Sequence, residues 1–292
     1  MDAERVAAVA GQIEQIIQKR IADDKLTLPV MPVVAGKAMT MIRDPDFSLK
    51  KVALLIEQDP LLATRVVRLA NSALYGAAGG AIKGVEMAVT RLGAQKVKMV
   101  LMECSARQIF ESRDPRIALA NKSIWEHSVA VAIVARDLRS LASEEGDNDG
   151  CYLCGLLHDV GKPVVATMLL EAERMARDRR ASFLDSEAWI EAIGRVHRPV
   201  GVALAEKWKL PEEISKAIRD VNDYDPTNRS SAANYVRFAN AVVKREGFFV
   251  GALDAEDVEA MIMIGRSVLG VSDELLARVT GGLAERVRAQ QE

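Results

Sequence analysis

Cys151-Tyr152-Leu153-Cys154-Gly155-Leu156-Leu157-His158-Asp159-Val160-Gly161-Lys162-Pro163 is the stretch on which the reading of this chain turns. It begins as an apolar helical run and ends with an imidazole beside a carboxylate, then a glycine that can release the chain, then a lysine. Adjacent His158 and Asp159 offer two ligands of the kind that a divalent Zn, Mn or Fe ion accepts. A His-Asp pair alone is weak evidence. Its weight comes from the histidine count: the chain has three, and His127 and His197 stand on helical patterns before and after the pair. If those helices bundle, the three rings converge.

Working outward, apolar residues recur at three- and four-residue steps almost everywhere. Before the central stretch, helices are expected over 3–22, 33–42, 49–58 and 61–71, the third capped by Ser48 and the fourth opened by Pro60. Residues 72–84, with four glycines, read as a loop. Helices resume over 85–92, stop at Gly93, and continue over 94–112. Residues 116–143 read as one long helix with Trp125, Val129, Ala132 and Ile133 on its buried stripe, and 144–150 as a polar linker. Beyond the stretch, helices are expected over 164–180, 186–196, 199–209, 211–221, 230–245, 255–269 and 273–290. No period-two alternation bounded by turn signals appears, so the fold class is all-α. Val6, Val9, Ile13, Ile16 and Ile17 make the first helix amphipathic. It suits packing on its own domain more than pairing in a homodimer, being short for a coiled coil.

Composition bounds the function. The chain has 292 residues, enough for about two domains, with 49% hydrophobic and 27% charged residues, as in a folded globular protein. A formal net charge of -2 gives no global reason to bind nucleic acid or anionic lipid. The N-terminus lacks a secretory pattern, no uninterrupted apolar run is long enough for a membrane span, and three cysteines do not make a disulfide framework. A reducing cytoplasm is the expected compartment. Cys151 and Cys154 share a helix face with His158, but no second Cys pair completes a structural zinc site. They read as small thiols in tight helix contacts, with Cys104 a third.

Several motifs occur together and in order: Leu28-Pro29-Val30-Met31-Pro32, Gln58-Asp59-Pro60, Leu69-Ala70-Asn71-Ser72-Ala73-Leu74-Tyr75-Gly76, Arg91-Leu92-Gly93 and Gly155 to Lys162. Together they resemble the HDOD family, a typically bacterial regulatory branch of the HD metal-dependent phosphohydrolase superfamily. The resemblance runs from about residue 26 to 225. It implies an N-terminal helix (1–25), an HDOD domain with a helical first half (26–115) and an HD-like bundle (116–225), and C-terminal helices (226–292) that complete the bundle.

By the same resemblance, His127 matches the first ligand histidine and His158 with Asp159 the namesake pair. His197 matches the extra histidine of HD-GYP cyclic dinucleotide phosphodiesterases. Val221-Asn222 stand where those enzymes carry a histidine pair, Asn240 where the superfamily closes its site with an aspartate, and the Gly-Tyr-Pro signature is missing. Phosphoester hydrolysis needs a metal-bound water and a charge clamp on the phosphoryl oxygens. Asn240 carries no negative charge and Val221 no ligand atom, so the expectation is a degenerate site, holding at most one divalent metal (Zn, Mn or Fe), that acts by protein contacts or ligand sensing in signal transduction. Three alternatives stay open: a metal-dependent phosphohydrolase acting on a nucleotide or cyclic dinucleotide, a cyclic di-GMP type binder with Lys162 on a phosphate, and a relic site whose polar groups fix helix register. Arg65, Arg68, Asn71 and Tyr75 form a candidate partner or ligand surface. Arg65 and Arg68, three apart, can meet a partner's carboxylates or a phosphate, or pair with nearby acids such as Asp59.

Overall fold

Short caps and turns set the helix ends in the computed structural model, which describes residues 3–72, 80–142, 148–177, 186–219 and 223–291. Among them every regular element is a helix: α1 (Ala3–Ala22), α2 (Val33–Ile42), α3 (Leu49–Ile56), α4 (Pro60–Ala70), α5 (Val85–Phe110), α6 (Pro115–Ala142), α7 (Asn148–Leu157), α8 (Gly161–Arg177), α9 (Ser186–Lys207), α10 (Glu212–Arg219), α11 (Ala232–Arg245), α12 (Ala255–Leu269), α13 (Asp273–Thr280) and α14 (Leu283–Gln291). Ser48 caps α3 by accepting from the Lys51 N–H, and Asp59 caps α4 by accepting from Leu61 and Leu62, with Pro60 in the first turn. Ser231, Asp254 and Ser272 cap α11, α12 and α13 in the same way. Each cap satisfies N–H groups that have no partner within the helix. The chain turns at Gly93 inside α5, with φ 73° and ψ 169°.

Two expectations need correction. Residues 186–209 do not break into two helices at Pro199, because α9 runs unbroken through it. The proline removes one backbone donor, but α9 lies against α1, α8 and α10, and that packing holds the helix together. Conversely, 273–290 is not one helix: the chain breaks at Gly281-Gly282, which separates α13 from α14.

The chain divides into two compact units, one of residues Val30–Gln108 and one of Met1–Pro29 with Ile109–Glu292. In the smaller unit α2, α3 and α4 pack in sequence, burying Ala35, Met39, Val52, Ile56, Leu62 and Val66. In the larger, α1 lies along α9. Its buried stripe runs through Ala10 and Ile17, whereas Ile16 is exposed. The centre of this unit is α6, packed by α7, α8, α11, α13 and α14. Val129 to Ala135 are all buried, so this stretch is apolar all round, as suits a helix with neighbours on every side. Residues 148–174, spanning α7 and α8, are long and apolar enough to cross a bilayer, yet 78% of their apolar window is buried inside the protein, as in a core helix.

Candidate metal centre

The site stands where α6, α7 and α9 carry their histidines past one another. Two glycines make that approach close. A Cβ on Gly155 would come within 2.7 Å of the Ala132 Cα, which brings α7 onto α6. A Cβ on Gly161 would overlap the His197 carbonyl oxygen and lie 2.9 Å from the Gly201 nitrogen. Six residues apart, the glycines bracket His158-Asp159 and fix it against α6 on one side and α9 on the other. Cys151 and Cys154 are both buried on α7, and the Cys151 thiol lies 3.4 Å from the Ala135 carbonyl of α6.

His127, His158, Asp159 and His197 are all buried, each at most 8% exposed. In each ring, Nδ1 is spent on a backbone carbonyl: His127 on Phe248 at 2.7 Å, His158 on Gly155 at 2.7 Å, and His197 on Gly194 at 2.9 Å and Ile193 at 3.0 Å. A carbonyl only accepts, so Nδ1 carries the proton and, in a neutral ring, Nε2 carries the lone pair. The Nε2 atoms of His127 and His158 face each other at 3.3 Å. Asp159 Oδ2 lies 3.3 Å from the His158 Nε2 and 3.7 Å from the His127 Nε2, and Oδ1 lies 3.6 Å from the His197 Nε2. Two lone pairs facing each other repel unless a proton or cation lies between them. Rings tied at Nδ1 with Nε2 turned inward are the arrangement by which proteins orient histidine ligands.

The electrostatics agree. Burial, with His158 adding to it, lowers the His127 imidazole to about 3, and burial lowers that of His197 to about 4, so both rings are neutral at pH 7. Burial works to raise the Asp159 carboxyl, but His158, Lys162 and His197 outweigh it and hold it well below the ordinary carboxylate range. One ligand atom from each of His127, His158 and Asp159 lies within 4.8 Å of the others, so the residues fit a divalent ion. Lys162, at the start of α8, sets its Nζ 2.5 Å from Asp159 Oδ2.

The centre opens into a cavity of about 260 Å³. His127, Asp159, Lys162 and Lys244 form its polar side, while Ile124, Val258 and the segment after α11, through Phe249, Val250 and Leu253, form its apolar side. Asn240 lines an adjoining cavity instead, with Arg198, Arg237 and Lys244, and its Oδ1 is buried without a hydrogen-bond partner among the described residues. Sequence reading had not singled out Lys244 or Phe248. Lys244 was legible only as the end of the Arg237, Asn240, Lys244 stripe on α11. Phe248 acts through its carbonyl, which no side-chain pattern reports.

The surface set lies in the smaller unit. Arg65 is half-buried and Arg68 exposed on α4. The Asn71 amide is spent on one backbone residue, donating to the Ile82 carbonyl at 2.7 Å and accepting from the Ile82 N–H at 2.8 Å. Arg91 donates to the carbonyls of Ala70 and Gly80 beside it. Tyr75, Val221 and Asn222 lie outside the described residues.

Known proteins resemble this chain in sequence and fold. The profile of the HDOD domain matches residues 28–224. An uncharacterized protein of Treponema pallidum (strain Nichols) is 26% identical over 230 residues, covering 77% of this chain and 44% of its own length, so the chain spans less than half of that relative. Among solved structures, an HDOD domain protein with unknown function from Geobacter sulfurreducens is 25% identical with a TM-score of 0.64, over 100% of this chain and 99% of that one. A candidate metal-dependent phosphohydrolase from Shewanella amazonensis SB2B has a TM-score of 0.80 at 24% identity, over 98% and 100% of the two chains. A candidate signal transduction protein from Marinobacter aquaeolei VT8 has a TM-score of 0.63 at 23% identity, over 98% of this chain and 65% of that one. The last two likenesses are of fold.

Proposed function

The chain belongs to the HDOD family, and from that membership we propose that it is a regulatory protein of bacterial signal transduction whose bundle holds one divalent ion at His127, His158 and Asp159. The observation that carries this reading is the tying of each ring's Nδ1 to a backbone carbonyl, which leaves the Nε2 atoms turned on Asp159. Such an ion supplies a fixed positive charge and a Lewis-acidic coordination position. The chain's own residues do the rest. His127 and His158 present lone pairs, Asp159 supplies the charge, and Lys162 donates to its Oδ2.

Regulation is favoured over turnover by what accompanies the centre. A neutral Asn240 stands at the position of the superfamily's closing aspartate, and Val221-Asn222 stand at that of the second histidine pair. The cavity beside the centre is a ligand-sensing pocket, and its contents are read out by a partner protein.

Elemental analysis of the purified chain tests the reading, together with assays of phosphodiester and cyclic di-GMP hydrolysis. The expected result is about one divalent ion per chain, lost in Asp159→Ala, with no hydrolysis in either protein. Hydrolysis that Asp159→Ala abolishes would overturn the regulatory reading and make the chain a metal-dependent phosphohydrolase. A chain that takes up no ion under saturating Zn, Mn or Fe would refute the centre itself.

A further inference from the structure

Of the three histidines, only His127 spends its Nδ1 far from itself in the chain. The carbonyls that hold His158 and His197 lie three or four residues before them, at Gly155, Gly194 and Ile193. His127 instead donates to Phe248, 121 residues further on, at 2.7 Å. Phe248 opens the connection between α11 and α12. Its own N–H donates to the Val243 carbonyl at 3.1 Å, and that of Gly247 to the Lys244 carbonyl at 3.0 Å. These are the paired bonds of a helix that ends at a residue of positive φ, here Gly247 with φ 90°. At the far end of the connection Asp254 caps α12.

Between these two fixed points, Phe249 to Leu253 make no hydrogen bond among the described residues. Gly251 in their middle has φ 94°. Phe249, Val250 and Leu253 are 38%, 44% and 37% exposed, yet the same three side chains wall the cavity beside the centre. A short apolar segment without backbone partners is the kind of element that opens locally at little cost. The bond from His127 is set at its N-terminal edge.

That bond has two states. With an ion on Nε2 the imidazole is polarised, and Nδ1–H becomes the stronger donor. Without one, the Nε2 atoms of His127 and His158, 3.3 Å apart, repel as lone pairs until one ring moves its proton from Nδ1 to Nε2 and donates across the gap, with no change in proton count. The ring that does so leaves its carbonyl. Gly155 is buried, whereas Phe248 is half-buried beside an exposed segment. Water replaces the lost donor more readily at Phe248, so His127 is the ring that yields.

We propose that Phe249 to Leu253 form a lid on the metal-centre cavity, latched by the His127–Phe248 hydrogen bond when the centre holds an ion and released when it does not. The inference rests on the reading of the histidines as a metal centre.

The three native cysteines are buried, so a nitroxide spin label couples selectively to the new thiol of a Val250→Cys variant. Electron paramagnetic resonance of the labelled full chain, in Zn and in chelator, tests the lid, with elemental analysis of the same samples. Zn should lower the ratio of mobile to immobile label about fivefold, the difference between a neutral and a charge-assisted hydrogen bond. A label on Leu119→Cys, at an exposed position of α6, should not respond. Gly247→Ala strains the turn that aims the Phe248 carbonyl. It should leave the Val250→Cys label mobile at full Zn loading and, by reciprocity, weaken Zn binding by the same factor. Gly270→Ala, which puts a comparable strain at the end of α12, where φ is 69°, should do neither. An unchanged spectrum at position 250 in a chain that carries Zn, or an equal change at position 119, would overturn the lid and leave the metal centre standing. A chain that takes up no Zn would overturn the centre and the latch with it.

Discussion

Asn71 in the smaller unit and the three histidines in the larger one use the same device to different ends. Each sets a side-chain donor on a backbone carbonyl. Asn71 exhausts itself doing so, since its amide both donates to and accepts from Ile82 and closes the chain after α4 back onto itself. The histidines spend only Nδ1 and keep Nε2 in reserve, turned toward Asp159. What separates a structural polar group from a chemical one here is therefore the bonding capacity left over, not burial or bond strength.

The largest effect that would sharpen this contrast is on acid stability. His127 and His197 have folded-state values of about 3 and about 4, below the ordinary 6.5. Between those limits the unfolded chain binds more protons, so stability falls as the pH falls. In chelator, urea unfolding should show a loss of about 3.3 kcal/mol between pH 6.5 and 5, from two rings whose slope grows from half to nearly all of about 1.4 kcal/mol per pH unit as the unfolded imidazoles protonate. Constant stability across that window would mean that the rings are not held neutral. Asp159 runs the same way but lower: its depressed value stabilises the fold above the ordinary carboxylate range, and that contribution goes only as the pH falls through the depressed value.

Next in size is Gly161→Ala, which forces a methyl into the His197 carbonyl. Overpacking against backbone should cost about 3 kcal/mol and lower the bound metal. Gly194→Ala on α9, with nothing within 4 Å of its Cβ, is the control and should be neutral or stabilising. Equal thermal stability in the two variants would break the claim that Gly161 sets the helix spacing. Asn71→Ala should cost about 2 kcal/mol, by leaving the Ile82 N–H and carbonyl without their partner, and should leave metal content unchanged. A fall in bound metal would show that Asn71 reaches beyond its own turn. Smallest is Ser231→Ala at about 1 kcal/mol, the loss of one helix cap, again with metal content intact.

Helix positions were legible because their signals are local. Ser48 and Asp59 announce caps, and Gly93 marks a turn within one helical stretch. Pro199 misled because a proline's local cost is visible in sequence while the flanking helices that tolerate it are not. Gly281-Gly282 was passed over because the apolar period resumes beyond it. The centre was legible through the scarcity of histidine and the motif around His158. The partners that give it shape were not: the carbonyls of Phe248, Gly155 and Gly194 carry no side-chain signature, and Lys244 reads as an ordinary charge on an amphipathic helix. Asn71 drew notice as part of a surface motif, and only its distance to Ile82 reveals an internal clamp.

The glycines that flank His158-Asp159 have a further consequence for how an ion would be held. Close backbone contacts at Gly155 and Gly161 bring the helices together, so folding itself would gather the ligand atoms into a cage. An ion entering such a cage need not organise it, and little of its binding free energy is diverted into ordering the chain. Affinity would then be a direct report of ligand chemistry and of competing protons.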